Sequence, residues 1–526
     1  MKKIKSSTKS HTPLVLAILD GWGIGSTNKK VNPLLSADTP FLNEIQKKYP
    51  RAELSASGKA VGLPKGQDGN SEAGHLNLGA GRVVEQDSVI ISDSIKDGTF
   101  FKNNVLLQAI KHVKKNKSQL HLMGLLSNYN SGHSSPDHFQ AILKFLQQQK
   151  VHDVNIHFFT DGRDSPKYDA LKFLQEARKR FRNSEKIVSI VGRFYAMDRK
   201  KNWARTETAY DLLTLGQGMA ADDPAQAIRH AYNRGESDEY ISPTAIIDKR
   251  SRRPVGVINN NDAVIFFNLR SDRARQMAKP FVQAKFEKLN KGAFKRKKIL
   301  KNLFFVALTD FGPDLGNIYT AYPSPDLKNT LPIALRLYRQ LYISEREKYT
   351  HVTYFFNGGY ADAVAGERRI LVQSPRIDSY DKTPAMSANQ ITRAIEQRLR
   401  KFDIVVVNYT NADMIGHTGN FAACIRAMEI LDNSLRALYR SIEKRGGTLV
   451  VTADHGNVEE LVDAKTGEIN TDHSGALVPL IFVSGQLRNK KFIRKKGSLS
   501  DVAPTILDWL QVPQPTEMTG RSMFKK

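Results

Sequence analysis

The decisive stretch is Leu14-Val-Leu-Ala-Ile-Leu-Asp20-Gly21-Trp22-Gly23. Six apolar residues run without alternation and stop at an aspartate and a glycine. Such a run is too short to cross a bilayer and reads as a strand buried on both faces, the kind found in parallel sheets covered by helices. Further along, similar runs at 120–125, 154–159, 187–191, 264–267, 303–308, 403–407 and 448–451 alternate with amphipathic stretches at 136–149, 165–181, 421–442 and 500–510. Asp38-Thr39-Pro40 opens another helix with proline in its first turn. The alternation predicts an α/β architecture.

The 526 residues exceed what one core organises, so more than one domain is expected, and 323–328, with two prolines, reads as a linker. Hydrophobic content of 40% and charged content of 25% describe a soluble globular protein. The lone cysteine, Cys424, excludes an intramolecular disulfide framework, fits a reducing compartment and reads as a small buried residue. A basic tail precedes the first strand without a cleavage pattern, so no signal peptide is expected and the location is expected to be cytoplasmic. The net charge of +26 raises nucleic acid as a partner. However, the basic runs 111–117, 291–301 and 488–496 lack interleaved stacking aromatics and read as solvated surface. Neither nucleic acid nor membrane is expected as a partner, whereas a small anionic substrate would gain from a positive field.

Chemistry concentrates in a few places. DGNSEAGH, Asp68 to His75, sets Ser71 among small and polar residues in what reads as a loop, a nucleophile that needs something to remove its proton. Three apolar strands are followed by aspartates, Asp20, Asp413 and Asp454, and ligands gather outside the carboxyl ends of such strands. His417 and His455 accompany them, and His473 lies in a loop flanked by Ser and Gly. Carboxylate with imidazole suits Mn²⁺ or Zn²⁺ better than Ca²⁺, and six candidate ligands exceed one tetrahedral site. Taken singly, each is equally a cap, a turn former or a surface histidine. The middle of the chain carries His133, Arg163, Asp164, Arg193, Arg199, Arg270 and Arg273, several just past strand ends. Guanidinium forks match phosphate and carboxylate, so a doubly anionic small molecule would suit them. Lys348, beyond the linker, is a further candidate for the substrate phosphate.

The motifs LDGWG, DGNSEAGH, DGRDS, GRFYAMDRK, FFNLRSDRARQ, EKYTHVTYFFNGG, NADMIGHTG, TADHGN and EMTG, collinear from Leu14 to about Ser522, resemble those of the cofactor-independent phosphoglycerate mutases of the alkaline-phosphatase-like superfamily. The resemblance implies a phosphatase-like metal domain built from 1–86 and 323–526, with a transferase domain, 87–322, inserted between. It implies two Mn²⁺ ions, one on Asp413, His417 and His473, the other on Asp20, Ser71, Asp454 and His455. Ser71 would carry a phosphoserine between 3-phosphoglycerate and 2-phosphoglycerate. His133, Arg163, Asp164, Arg193, Arg199, Arg270, Arg273 and Lys348 would bind substrate, and Asp164 would move protons at the glycerate hydroxyls. A monomer is expected. SNYNSGHSSPDH, 127–138, departs from the usual SDGGVHSH pattern and is one residue longer, with Ser135 in place of a second histidine. A metal-dependent phosphatase of the same superfamily is the alternative reading, since it needs the same serine and metals but no second anion site.

Overall fold

The computed structural model describes residues 12–129, 131–182, 185–312, 314–464 and 466–525, so most of the basic tail lies outside the described residues. The chain forms two α/β units, one from Met1–Gln86 and Asp326–Lys526, the other from Asp87–Pro325.

The first unit is built on an eight-stranded sheet. Its order is Arg368–Val372, Gln340–Glu345, Ile404–Tyr409, Leu14–Leu19, Thr448–Thr452, Val478–Val483, Arg51–Ser55, Lys496–Ser498. The first five run parallel, while Val478–Val483 is antiparallel to both its neighbours. Every residue of Leu14–Leu19 is buried, as an unbroken apolar run requires. Register places Ile18 between Asn408 and Thr452, so the residues that follow these three strands emerge along one edge. Gly21 turns the chain there with φ +75°, and a Cβ on it would sit 2.8 Å from Asp413 Cα. Only glycine meets both demands without strain.

The second unit repeats the plan. Its order is Tyr319–Tyr322, Phe304–Thr309, Ala263–Phe266, Leu120–Leu126, Val154–Thr160, Glu185–Gly192, Thr244–Ile246, Met219–Ala221. The first six strands are parallel, so the loops after Ala263–Phe266, Leu120–Leu126, Val154–Thr160 and Glu185–Gly192 also share an edge.

Several local expectations change. Ser71 is not in a loop. It opens the helix Ser71–Ala80, whose N-cap Asn70 accepts from Ala73 N at 2.9 Å. Asp413 likewise lies on a short helix, Asn411–Gly416. The helix expected at 165–181 forms only over Ala170–Arg178, because Asp238, distant in sequence, accepts from Ala170 N at 2.8 Å and fixes where it starts. The basic run 291–301 is not all solvated surface. Arg296 is buried, donates to the carbonyls of Pro280, Gln283 and Ala284, and pairs with Glu287 at 2.9 Å. Lys298 ties the carbonyls of Thr214 and Ile258 together. Cys424 is buried, and burial pushes its thiol up to about 12. Among the described residues no helix is long and apolar enough to cross a membrane.

One contact ties sequence-distant parts of the first unit. The helix Pro40–Lys48 has no side-chain cap of its own at Thr39. Buried Asp432, on the helix Phe421–Glu443, accepts instead from Phe41 N at 3.2 Å and Leu42 N at 2.7 Å. Asp432→Ala leaves two buried donors without an acceptor and should lower stability by about 1–3 kcal/mol. Asp432→Asn, which keeps an acceptor, should lose less. Urea unfolding of the two variants checks this, and a midpoint unchanged in Asp432→Ala would refute the capping role.

Candidate active site

The shared edge of the first unit gathers Asp20, Ser71, Lys348, Asp413, His417, Asp454, His455 and His473. Asp20, directly after its strand, accepts from Asn408 Nδ2 at 2.6 Å on Oδ2 and from Lys348 Nζ at 2.6 Å on Oδ1. Asp413 Oδ2 faces the same ammonium at 2.6 Å. Its Oδ1 is approached by Nε2 of His473 at 3.1 Å, His417 at 3.3 Å and His455 at 3.9 Å. Asp454 Oδ1 accepts from Gly21 N at 3.3 Å, and Oδ2 lies 3.2 Å from His75 Nδ1. Helix Ser71–Ala80 comes close because Gly74 has no side chain; a Cβ there would lie 2.5 Å from Asp454 O. Ser71 Oγ is thereby brought 2.9 Å from His455 Nε2, 2.6 Å from Lys348 Nζ and 3.3 Å from Asp20 Oδ1.

All three aspartates are at most 1% exposed. Three carboxylates gathered around a single lysine are costly in a dry interior. Burial alone would lower the Lys348 pKa, but Asp20, Asp413 and Asp454 outweigh it and hold the ammonium charged. Burial opposes ionisation of Asp20 and Asp413 too, and Lys348 with the histidines overcomes it, holding both well below the usual carboxylate range. His455 is pushed up to about 9: burial works against the charge, and Asp454, Asp20 and Asp413 prevail. The cluster attracts positive charge.

The histidines are set to receive it as a metal ion. Nδ1 of His417 faces Thr471 O at 2.7 Å, Nδ1 of His473 faces Gly69 O at 2.8 Å, and Nδ1 of His455 faces Gly456 O at 3.2 Å. A carbonyl only accepts, so each Nδ1 carries a proton and Nε2 is the nitrogen turned to the cluster, where a metal ion would displace any proton held there. Nε2 of His417 and His473 lie 3.3 Å apart. Asp413 Oδ1 and Asp454 Oδ2 are buried without a hydrogen-bond donor among the described residues. Two Nε2 atoms facing each other beside undonated carboxylate oxygens fit a divalent cation with mixed nitrogen and oxygen ligands. Two such groups are close enough to ligate, Asp413 with His455 and His473, and Asp20 with Asp454 and His455.

Two contributors escaped the sequence reading. His75 supports Asp454, and Asn408 joins Asp20 to His75 Nε2, 3.0 Å away. Asn408 did carry a signal: it is the one amide in the buried strand Ile404–Tyr409, directly after the apolar run Ile404–Val407.

The second unit assembles a cluster of the opposite sign. Buried Asp161 accepts from Ser127 Oγ, from the amides of Arg163 and Asp164, and from Arg193 Nη1 at 2.5 Å. Arg193 also reaches Asp164 Oδ2 at 2.9 Å. Arg199 pairs with Asp272 at 2.7 Å, Arg163 lies 3.7 Å from Glu239, and Arg273 donates to Met197 O at 3.3 Å. Burial, then the fields of Arg193, Arg199 and Arg163, depress the Arg273 pKa. Burial, then Arg270 and Arg193, lower His133 to about 4. His133 Nδ1 and Arg193 Nε are buried without a partner among the described residues. Positive charge and an open donor imply an anionic ligand. Lys348 lies in the first unit's cluster, bonded to Asp20, Asp413 and Ser71.

Comparison with known proteins places the chain in a family. The family model described as the metalloenzyme superfamily matches residues 12–514. The 2,3-bisphosphoglycerate-independent phosphoglycerate mutase 1 of Methanosarcina acetivorans is 44% identical over 98% of this chain and 99% of its own length. The corresponding enzyme of Desulforudis audaxviator is 43% identical over 98% and 99%. Among solved structures, phosphoglycerate mutase of Leishmania mexicana, at low cobalt concentration, matches with a TM-score of 0.77, 27% identity and 97% of each chain covered. The chain therefore belongs to the 2,3-bisphosphoglycerate-independent phosphoglycerate mutases, within the metalloenzyme superfamily.

Proposed function

We propose that the chain interconverts 3-phosphoglycerate and 2-phosphoglycerate through a phosphoserine on Ser71, without 2,3-bisphosphoglycerate. The observation that carries this over a simple phosphatase is the arginine cluster of the second unit. A phosphatase can release its dephosphorylated product, whereas a mutase must retain glycerate until the phosphoryl group returns.

Two divalent cations, Mn²⁺ by the family resemblance, would be held by Asp413, His417 and His473 and by Asp20, Ser71, Asp454 and His455, and would supply Lewis-acid charge for phosphoryl transfer. The chain's own groups do the rest. Lys348, kept protonated by Asp20 and Asp413, donates to Ser71 Oγ and favours its deprotonated form. The N-terminal position of Ser71 on its helix adds a dipole favourable to negative charge. Ser71 Oγ attacks phosphorus, the bond from phosphorus to the 3-oxygen breaks, and that oxygen takes a proton. Arg163, Arg193, Arg199, Arg270 and Arg273, with His133, hold the glycerate. Its 2-hydroxyl then gives up a proton and attacks the phosphoserine, regenerating Ser71, with Asp164 moving the protons at the two hydroxyls. The protein acts in the cytoplasm as a monomer and needs no nucleic acid.

Four outcomes test the proposal. Ser71→Ala should lose turnover by about 10⁴-fold or more, as removal of an essential nucleophile does elsewhere, and should take no phosphate from labelled substrate. Labelled protein in that variant would rule Ser71 out. Phosphorus NMR should show 3-phosphoglycerate converting to 2-phosphoglycerate with total phosphoester conserved; accumulating inorganic phosphate would favour the phosphatase. Chelation should abolish turnover and Mn²⁺ restore it. Asn408→Ala, which frees Asp20 and His75, should weaken Mn²⁺ binding by about 10–100-fold in calorimetric titration. Wild-type affinity in that variant would count against Asn408 as a support of the metal site.

A further inference from the structure

Ser131 lies in 127–138, the stretch where the chain departs from its family's pattern. Here the hydroxyl makes two bonds at once. Ser131 Oγ donates to Asp164 Oδ2 at 2.9 Å and accepts from His133 N at 3.2 Å. Arg193 Nη1 reaches the same Oδ2 at 2.9 Å. Both donors fall on one oxygen of Asp164, and no bond to Oδ1 is found among the described residues. The side chain is 27% exposed.

We infer that Ser131 is a positioning residue for proton transfer: it commits Asp164 Oδ2 to the framework, leaves Oδ1 to exchange the proton, and keeps His133 in step with it. The inference rests on the mutase reading of the site. It extends that reading by assigning a role to Ser131.

The charged groups that act on Asp164 are Arg193, at the end of strand Glu185–Gly192, and His133, on the same loop as Ser131. Burial alone would raise the Asp164 pKa. Arg193 outweighs it, His133 and the Ser131 hydroxyl add to the effect, and the carboxyl is held below its ordinary value. A hydroxyl bonded to a carboxylate favours the charged form. Ser131→Ala should therefore let the Asp164 pKa rise, while Arg193 still holds the side chain in place.

The test is a comparison of wild type, Ser131→Ala and Ser131→Thr as full-length, metal-loaded protein. In Ser131→Ala, kcat should fall by about 10-fold or more, in the range of losses for general acid–base groups, while KM changes little. The acid limb of its kcat profile should move to higher pH, and Ser131→Thr should restore both. A second readout needs no turnover. Because the folded Asp164 pKa is depressed, the bond stabilises the fold above the ordinary carboxylate pKa, and this is lost as pH falls through the folded value. The Tm gap between wild type and Ser131→Ala should thus be present at neutral pH and close in acid. A Tm gap with unchanged kcat and acid limb would make Ser131 purely structural and overturn the inference. The absence of a gap would deny the contact itself. If wild type fails to interconvert the phosphoglycerates, the mutase reading fails first and the inference falls with it.

Discussion

Three carboxylates buried at the ends of adjacent parallel strands constrain most of the first unit. Asp20, Asp413 and Asp454 are all at most 1% exposed, and an ion removed from water costs several kcal/mol even after relaxation unless it is matched. The surroundings read as a set of answers to that cost. Lys348 bridges two of the three, Gly21 N donates to the third, and Asn408 holds the far oxygen of Asp20. The rings of His417, His455 and His473 are oriented by backbone carbonyls at Nδ1, so each Nε2 turns inward. The backbone must also come close, which is why glycine stands at 21 and 74. What remains unmatched is negative charge, and that is the basis for metal.

The second unit solves the same architectural problem with the sign reversed. Its buried carboxylate, Asp161, is saturated by Ser127, two backbone amides and Arg193. The excess around it is cationic, enough for neighbouring guanidiniums to depress the Arg273 pKa. A parallel sheet supplies each edge, but it does not choose the ligand. The balance of buried charge does: one edge favours cations, the other an anion.

This division explains how much was legible beforehand. Asp20 and Asp454 stood out because a strand buried on both faces must be apolar, so the first polar residue after it marks the edge. Residue types at these ends were readable, and so was the α/β class. Strand order was not. That Leu14–Leu19 lies between Ile404–Tyr409 and Thr448–Thr452 depends on pairings across hundreds of residues, and nothing local encodes them. The shortened helix at Ala170 and the buried Arg296 have the same origin, since Asp238 and the carbonyls of Pro280 and Gln283 are tertiary partners. Asn408 differs: one amide in a run of isoleucine and valine was a readable anomaly, because a buried polar group needs a partner.

Finding Ser71 on a helix and not in a loop changes what the octapeptide means. A serine in a mobile turn would need its activating groups to find it. As the first residue of Ser71–Ala80, capped by Asn70, it has a fixed backbone and a hydroxyl directed into groups that are themselves fixed. Gly74, one turn on, presses that helix against the strand end carrying Asp454, so the distance from nucleophile to cluster is set by backbone contact and not by side-chain reach. Each glycine in the motif then has a different reason to be there. Gly69 supplies the carbonyl that orients His473, and a Cβ on it would collide with Ala56 O. Gly74 supplies the approach. The motif is less a catalytic loop than the joint that fixes one rigid element onto another.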